Sequence, residues 1–442
     1  LMRYQACYNM LRAMESGISD GRIGFSARRA LVENIIGSIV RIKEWERSFH
    51  KRNGYDPPAF LTISPTKRCN LKCPGCYAAS SSKDAESLDY TVFNRLIREK
   101  TEQWGAALTV VSGGEPLLYR SRDKGLLDVV GENPDNYFLV FTNGTLVTKD
   151  VVLRMAELGN ITPALSIEGW EKETDARRGP GVFKKVISAM EALRAAGVPF
   201  GISVTATRHN AELLLSDDFI DFSFGDMGAL YGWLFQYMPI GRSAELNLMV
   251  TPEQRRQMLD RELQILFDKQ LFYMDFWNGG PISMGCLAAG RPGGYFYIDW
   301  NGNISPCVFF PYAAANAYEI YRNGLDLRTV LESPFFKSIR HWQDDYAYRK
   351  TGARINNLFM PCSIRDHYTF ARQAVRRFEA KPLDESAQEA LDDGNYREGM
   401  IEYDRKLRSC LDPVWKSQVL EADPDLTLED GFCALTCKKN NG

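Results

Sequence analysis

The chain has 442 residues, 45% hydrophobic and 25% charged, with a formal net charge of −2. That balance suits a globular protein of two or three domains and gives no overall attraction to nucleic acid or to an anionic membrane. No apolar run is long enough to span a bilayer and no export signal opens the chain, while ten cysteines are too dilute for a disulfide scaffold, so a reducing cytoplasm is expected. The opening Leu-Met-Arg leads us to expect that part of the native N-terminus is missing.

Residues 1–57 read as a helical extension. Ser26 is placed to cap a helix on which Leu31, Val32, Ile35, Ile36, Ile39 and Val40 recur at helical period. Arg28, Arg29, Arg41, Lys43, Arg47, Lys51 and Arg52 decorate the rest. Packing on the main domain is the first reading of this helix. A basic amphipathic helix over 26–52, lying on a membrane surface or a partner, is the second.

Over 58–275 the rhythm changes to short apolar runs alternating with amphipathic helices. Strands are predicted at 59–64, 107–111, 137–141, 162–166, 199–205 and 230–237. Helices are predicted near 89–104, 123–132, 149–158, 182–196, 210–222 and 252–269. Six strand–helix units in strict alternation call for parallel strands and right-handed crossovers, hence an α/β fold built on a partial (β/α)6 barrel, an open TIM-like arrangement. Residues 276–375 turn glycine-rich and then carry a hairpin signal at Asn301-Gly302, which suggests a small α+β domain. Residues 376–442 read as helix followed by a tail containing Cys433 and Cys437.

The chemistry concentrates in TKRCNLKCPGCYAAS, where Cys69, Cys73 and Cys76 follow the first strand as Cx3Cx2C. A structural zinc site takes four ligands, usually as two separated pairs, and no second pair follows within a hundred residues. A cubane 4Fe–4S cluster held by three cysteines keeps one iron free for another ligand. The loop after a barrel's first strand is also where such folds build active sites.

This trio, with Tyr77 behind it, resembles the signature of the radical S-adenosylmethionine superfamily. The resemblance extends in order through Gly113-Gly114-Glu115-Pro116 after the second strand and Thr142-Asn143-Gly144 after the third. Ser166-Ile167-Glu168-Gly169 and Arg178-Gly179-Pro180-Gly181 follow the fourth, and YMPIGR follows the sixth. It implies that the fourth iron binds the methionine moiety of S-adenosylmethionine, and that reduction releases a 5′-deoxyadenosyl radical. It also implies cofactor contacts from Tyr77, Gly113, Gly114, Glu115, Pro116, Asn143, Ser166, Arg178 and Met238. Within that set Glu115 would accept from the amino group and Arg178 would clamp the carboxylate. Glu168 stands where the family more often has aspartate.

A second pattern, Cx15Gx4C from Cys286 through Gly302 to Cys307, resembles the opening of a SPASM or twitch extension. It implies one auxiliary 4Fe–4S cluster with Cys362 as third ligand. Cys410, Cys433 and Cys437 are candidates for the fourth, or the position is open to substrate. Asp366 and His367 are expected to support Cys362. Cys7 is expected to be structural, His209 and His341 to be surface or core groups, and Trp233 and Phe235 to line the barrel.

The function implied is an oxygen-sensitive enzyme drawing electrons from reduced ferredoxin or flavodoxin and abstracting hydrogen from a peptide, protein or small molecule to make C–C or C–S bonds. A lipid or other hydrophobic substrate at a membrane surface is the alternative, and a non-catalytic iron–sulfur electron carrier is the alternative of another class.

Overall fold

The structure, a computed structural model, describes residues 1–422, and the backbone alone at 35–44. Its centre is a curved parallel sheet of short apolar strands, which we number β1 Phe60–Ile63, β2 Leu108–Val111, β3 Tyr137–Thr142, β4 Ile161–Ser166, β5 Gly201–Ala206, β6 Tyr231–Gln236, β7 Tyr273–Asp275 and β8 Tyr295–Ile298. The spatial order is β8-β1-β2-β3-β4-β5-β6-β7, every neighbouring pair parallel. Two short strands, β9 Asn303–Ser305 and β10 Ala315–Asn316, continue the sheet antiparallel beyond β8.

The six expected strands are all present, and the sheet gains one parallel strand at each edge. β7 is three residues long and ends in an aspartate, too short and too polar to show as an apolar run. β8 does belong to the hairpin expected around Asn301-Gly302, but it also pairs with β1 in the register Phe60 to Tyr295. The division drawn at 275/276 from sequence therefore falls inside one continuous sheet. β7 and β8 follow one another in sequence yet form opposite parallel edges, so the barrel stays open and residues 276–294 cross its gap.

Helices cover the outside. Tyr90–Trp104 starts at Asp89, whose carboxylate accepts from the Thr91 N–H, and Pro252–Gln264 starts with a reciprocal Thr251–Gln254 capping box. The helix expected over 210–222 is broken: Ala211–Leu214 ends, and Ser216 caps a new start at Asp217 by accepting from Phe219 N. In the N-terminal extension, Met2–Ser19 is helical, and a second helical stretch runs from Phe25 to Asn53 through a wider turn at Leu31–Ile36. Gly24, not Ser26, is its N-cap.

Packing on the main domain accounts for this second stretch. Ala27, Ala30 and Leu31 are buried beside Tyr137, Ala164, Leu230 and Tyr231, and Phe49 is fully buried in the main core. Met2–Ser19 lies along the open side, with Ala6 packed on Leu266 and Met274, while the Asn9 amide donates to the Leu266 and Leu271 carbonyls. Among the described residues no helix is long and apolar enough to cross a membrane. Removing the Phe49 ring leaves a cavity costing about 3–5 kcal/mol. Phe49→Ala should therefore lower the thermal unfolding midpoint by several degrees, and an unchanged midpoint would contradict this docking.

Candidate active site

The loop after β1 carries the first thiols, and backbone hydrogen bonds from two later strand ends hold it. Gly114 N donates to Thr66 O at 2.9 Å and Glu115 N to Arg68 O at 2.8 Å. A Cβ on Gly114 would lie 2.3 Å from Arg68 O and 2.4 Å from Lys67 O, so only glycine lets the β2 end approach this closely. On the other side Arg242 N donates to Cys76 O, and the Arg242 guanidinium donates to Cys73 O at 2.7 Å and to Ser80 O. Gly241, at φ +70°, is the matching contact: a side chain there would meet the carbonyls of Cys76 and Tyr77. YMPIGR thus straps the cysteine loop. Arg242, the last residue of that stretch, is a site residue whose role depends on a tertiary contact and leaves no mark in the sequence.

Cys69 is buried, and Cys73 and Cys76 are half-buried within electrostatic reach of it. Burial pushes the Cys69 thiol up to about 12, so its thiolate needs a cation beside it. Leu71 N points at the Cys69 sulfur at 3.4 Å and the Asn143 amide at 3.8 Å. Tyr77 tucks back under β2, where its hydroxyl accepts from Gly113 N at 3.1 Å.

Glu115 is completely buried. One carboxylate oxygen accepts from Leu117 N and Thr142 Oγ1, the other from Asn143 N at 2.8 Å. Its hydrogen bonds thus run within the protein, and it fastens the β2 end to the β3 end. That fastening orients Asn143, whose amide also donates to Asn70 Oδ1 in the cysteine loop. Pro116 opens the short turn that follows.

Ser166 ends β4 beside Ser203 of β5, half-buried at the strand tips. Glu168, two residues on, is buried and accepts from Arg177 and from Arg178 Nε and Nη2, while its other oxygen accepts from Thr205 N. The Arg178 guanidinium is therefore held by a protein carboxylate, with Cys73 and Cys76 inside its field. Met238 is buried among core side chains.

The second trio also converges. Cys286 lies in the segment crossing the barrel gap, Cys307 follows β9, and Cys362 lies in a later loop, with Cys286 and Cys307 close enough to influence Cys362 electrostatically. Burial raises the Cys362 thiol above its ordinary range and Cys307 to about 12. Cys362 is positioned through Asp366, which accepts from Cys362 N and forms a fully buried pair with Arg255, Nη1 to Oδ1 at 2.5 Å. His367 faces away, its ring meeting Met360 O and Arg408. Cys410 packs with Leu411, Trp415 and Phe359 in a different cluster. Cys433 and Cys437 lie outside the described residues, and Cys7 is exposed.

Between the trios stands a wall of rings. Phe141 and Phe235 meet at 5.5 Å although β4 and β5 separate their strands, so both face the barrel interior. Phe235 continues to Phe276 and Phe309, and Phe309 reaches both Trp277 and Tyr77. Phe309 lies two residues from Cys307, and Tyr77 directly follows Cys76.

Among the described residues no three His, Cys, Asp or Glu side chains gather tightly enough to hold one ion. Each trio sets one buried thiol beside two half-buried ones, an all-sulfur donor set of the kind that would hold a 4Fe–4S cluster.

Residues 63–212 match the family model described as Radical SAM superfamily. The mycofactocin maturase MftC of Mycolicibacterium smegmatis is 28% identical over 312 residues, covering 68% of this chain and 76% of that protein. An AdoMet-dependent heme synthase of Methanosarcina barkeri is 26% identical over 289 residues, covering 59% of this chain and 80% of that one. Streptococcus suis SuiB bound to its precursor peptide SuiA superposes with a TM-score of 0.54 at 19% identity, covering 66% of this chain and 69% of that chain.

Arg242→Ala frees the Cys73 and Ser80 carbonyls and loosens one side of the loop. After anaerobic reconstitution and chelator challenge, the variant should retain about four irons where the parent retains about eight, one cubane having been lost. Equal retention would show that the strap does not hold the cluster.

Proposed function

The chain belongs to the radical S-adenosylmethionine superfamily, and we propose that its substrate is a peptide on which it forms a new bond at a side chain. It is an enzyme whose cofactors are a 4Fe–4S cluster, S-adenosylmethionine and an auxiliary cluster. Bound and reduced, cluster and S-adenosylmethionine supply a hydrogen-abstracting 5′-deoxyadenosyl radical. The chain's own residues hold the thiols, exclude water and orient the substrate. In this reading Cys69, Cys73 and Cys76 carry the first cluster and Cys286, Cys307 and Cys362 the auxiliary one. Backbone groups at Gly113, Gly114 and YMPIGR, together with Ser166 and the Arg178 edge, surround S-adenosylmethionine.

The observation that carries the peptide reading is the aromatic wall between the trios. Half-buried Phe141, Phe235 and Phe276 offer an apolar side chain a dry seat inside the barrel, between one redox centre and the other. The likeness to a maturase supports it. The likeness to a heme synthase supports a second reading, in which the same wall takes a flat small molecule.

Reduced ferredoxin or flavodoxin is the proposed electron source. Arg68 and Lys72, exposed on the cysteine loop, give an acidic donor a place to dock. A peripheral membrane contact through 26–52 is secondary, since Phe49 is spent on the core while Val32 stays exposed.

With dithionite and S-adenosylmethionine under anaerobic conditions, the reconstituted protein should release 5′-deoxyadenosine. Replacing Cys69, Cys73 and Cys76 together by alanine should abolish that release. A peptide encoded beside the gene should accelerate it and emerge lighter by the mass of the hydrogens removed. No 5′-deoxyadenosine under any condition would contradict the enzyme, and acceleration by a porphyrin but not by the peptide would favour the small-molecule reading.

A further inference from the structure

β8 brings two tyrosines to one face of the sheet, because residues two apart on a strand point the same way. Tyr297 donates to Ser64 Oγ at 2.8 Å, and Ser64 contacts Ser112, next to the Gly113 that holds Tyr77. Tyr295 reaches the other trio, its hydroxyl 2.9 Å from Cys307 Sγ. The Tyr295 ring is buried and stacks on Phe60 of β1 at 4.9 Å with an interplanar angle of 11°, so packing fixes where the hydroxyl points. Phe309 N also points at the Cys307 sulfur, at 3.4 Å.

We propose that Tyr295 is a positioning residue that sets the reduction potential of the auxiliary cluster by donating its phenol hydrogen to the Cys307 sulfur. This rests on the reading of Cys286, Cys307 and Cys362 as that cluster's ligands. Between a phenol and a thiol either group can donate, but a thiolate bound to iron carries no proton, so the phenol becomes the donor. Reduction adds negative charge that spreads onto the sulfurs. A donor aimed at one sulfur stabilises the reduced form more than the oxidised form and raises the potential. Water makes such bonds at an exposed cluster; here a buried side chain makes it in a fixed direction.

Tyr295→Phe keeps the ring and its stacking on Phe60 and removes only the hydroxyl. Tyr297→Phe removes the same group two residues along the same strand, on the Ser64 side, and serves as control. Both are compared with the parent by iron analysis and by potentiometric EPR titration of the reconstituted full chain. Tyr295→Phe should hold the parent's iron, about eight per chain for two cubanes. It should shift one cluster to a more negative potential and leave the cluster of the Cys69, Cys73 and Cys76 loop where it was. Tyr297→Phe should leave the auxiliary potential unchanged. Full iron with unmoved potentials in Tyr295→Phe would overturn the proposal, as would an equal auxiliary shift in Tyr297→Phe. A parent chain that binds only about four irons would overturn the auxiliary-cluster reading itself, an outcome distinct from either.

Discussion

The cysteine loop has no regular structure of its own, and its carbonyls are held by backbone and arginine hydrogen bonds from residues just past strand ends far away in sequence. Gly114 and Glu115 hold it from the β2 side, through Thr66 O and Arg68 O, and Arg242 holds it from the β6 side, through Cys76 O, Cys73 O and Ser80 O. A loop of this length loses conformational entropy when it is ordered, and these hydrogen bonds offset part of that cost before any metal is bound. The glycines at 114 and 241 are what permit the approach, since a Cβ at either would overlap a carbonyl of the loop. Glu115 and Glu168 continue the same logic one layer out. Each is a buried carboxylate that spends its oxygens on tying neighbouring strand ends together or on holding arginines.

The second consequence of the fold is that one sheet carries both the loop of the first trio and the hairpin that leads to Cys307. β8 pairs with β1, the strand that launches the first cysteine loop, and leads within the same hairpin to Cys307. The Arg255–Asp366 pair, fully buried, fixes Cys362 from the helix that follows β6. Such a pair costs desolvation on both sides and contributes little net stability, but losing one partner leaves a bare buried charge, so it enforces one arrangement of the Cys362 loop. The rings of Phe235, Phe276 and Phe309 fill the space between.

Much of this was legible in the sequence. Six apolar runs separated by amphipathic helices are a periodic signal, and each became a strand of the barrel. The Cx3Cx2C and Cx15Gx4C spacings single out five cysteines, the resemblance adds Cys362, and the fold gathers the six into two groups. What was not legible depends on tertiary pairing. β7 is three residues with a charged end, and β8 looks like any hairpin strand until β1 is beside it. The partners of Glu115 and Arg178 within the protein, Thr142, Asn143 and Glu168, are ones that sequence order does not reveal. Arg242 was hidden for the same reason, since its role is to hold carbonyls some 170 residues earlier. The extension is ambiguous because a basic amphipathic helix reads alike on a membrane and on a barrel; Phe49 packs its C-terminal part on the main core, while the side chains of 35–44 lie outside the described residues.

The account turns on one iron of the first cluster being left open by its three cysteines for S-adenosylmethionine. EPR of the reduced, reconstituted chain, recorded with and without S-adenosylmethionine, tests this most directly. The signal of the cluster on Cys69, Cys73 and Cys76 should change its g-values when S-adenosylmethionine is added, and the auxiliary signal should not. Spectra that superimpose with and without it would contradict the open iron.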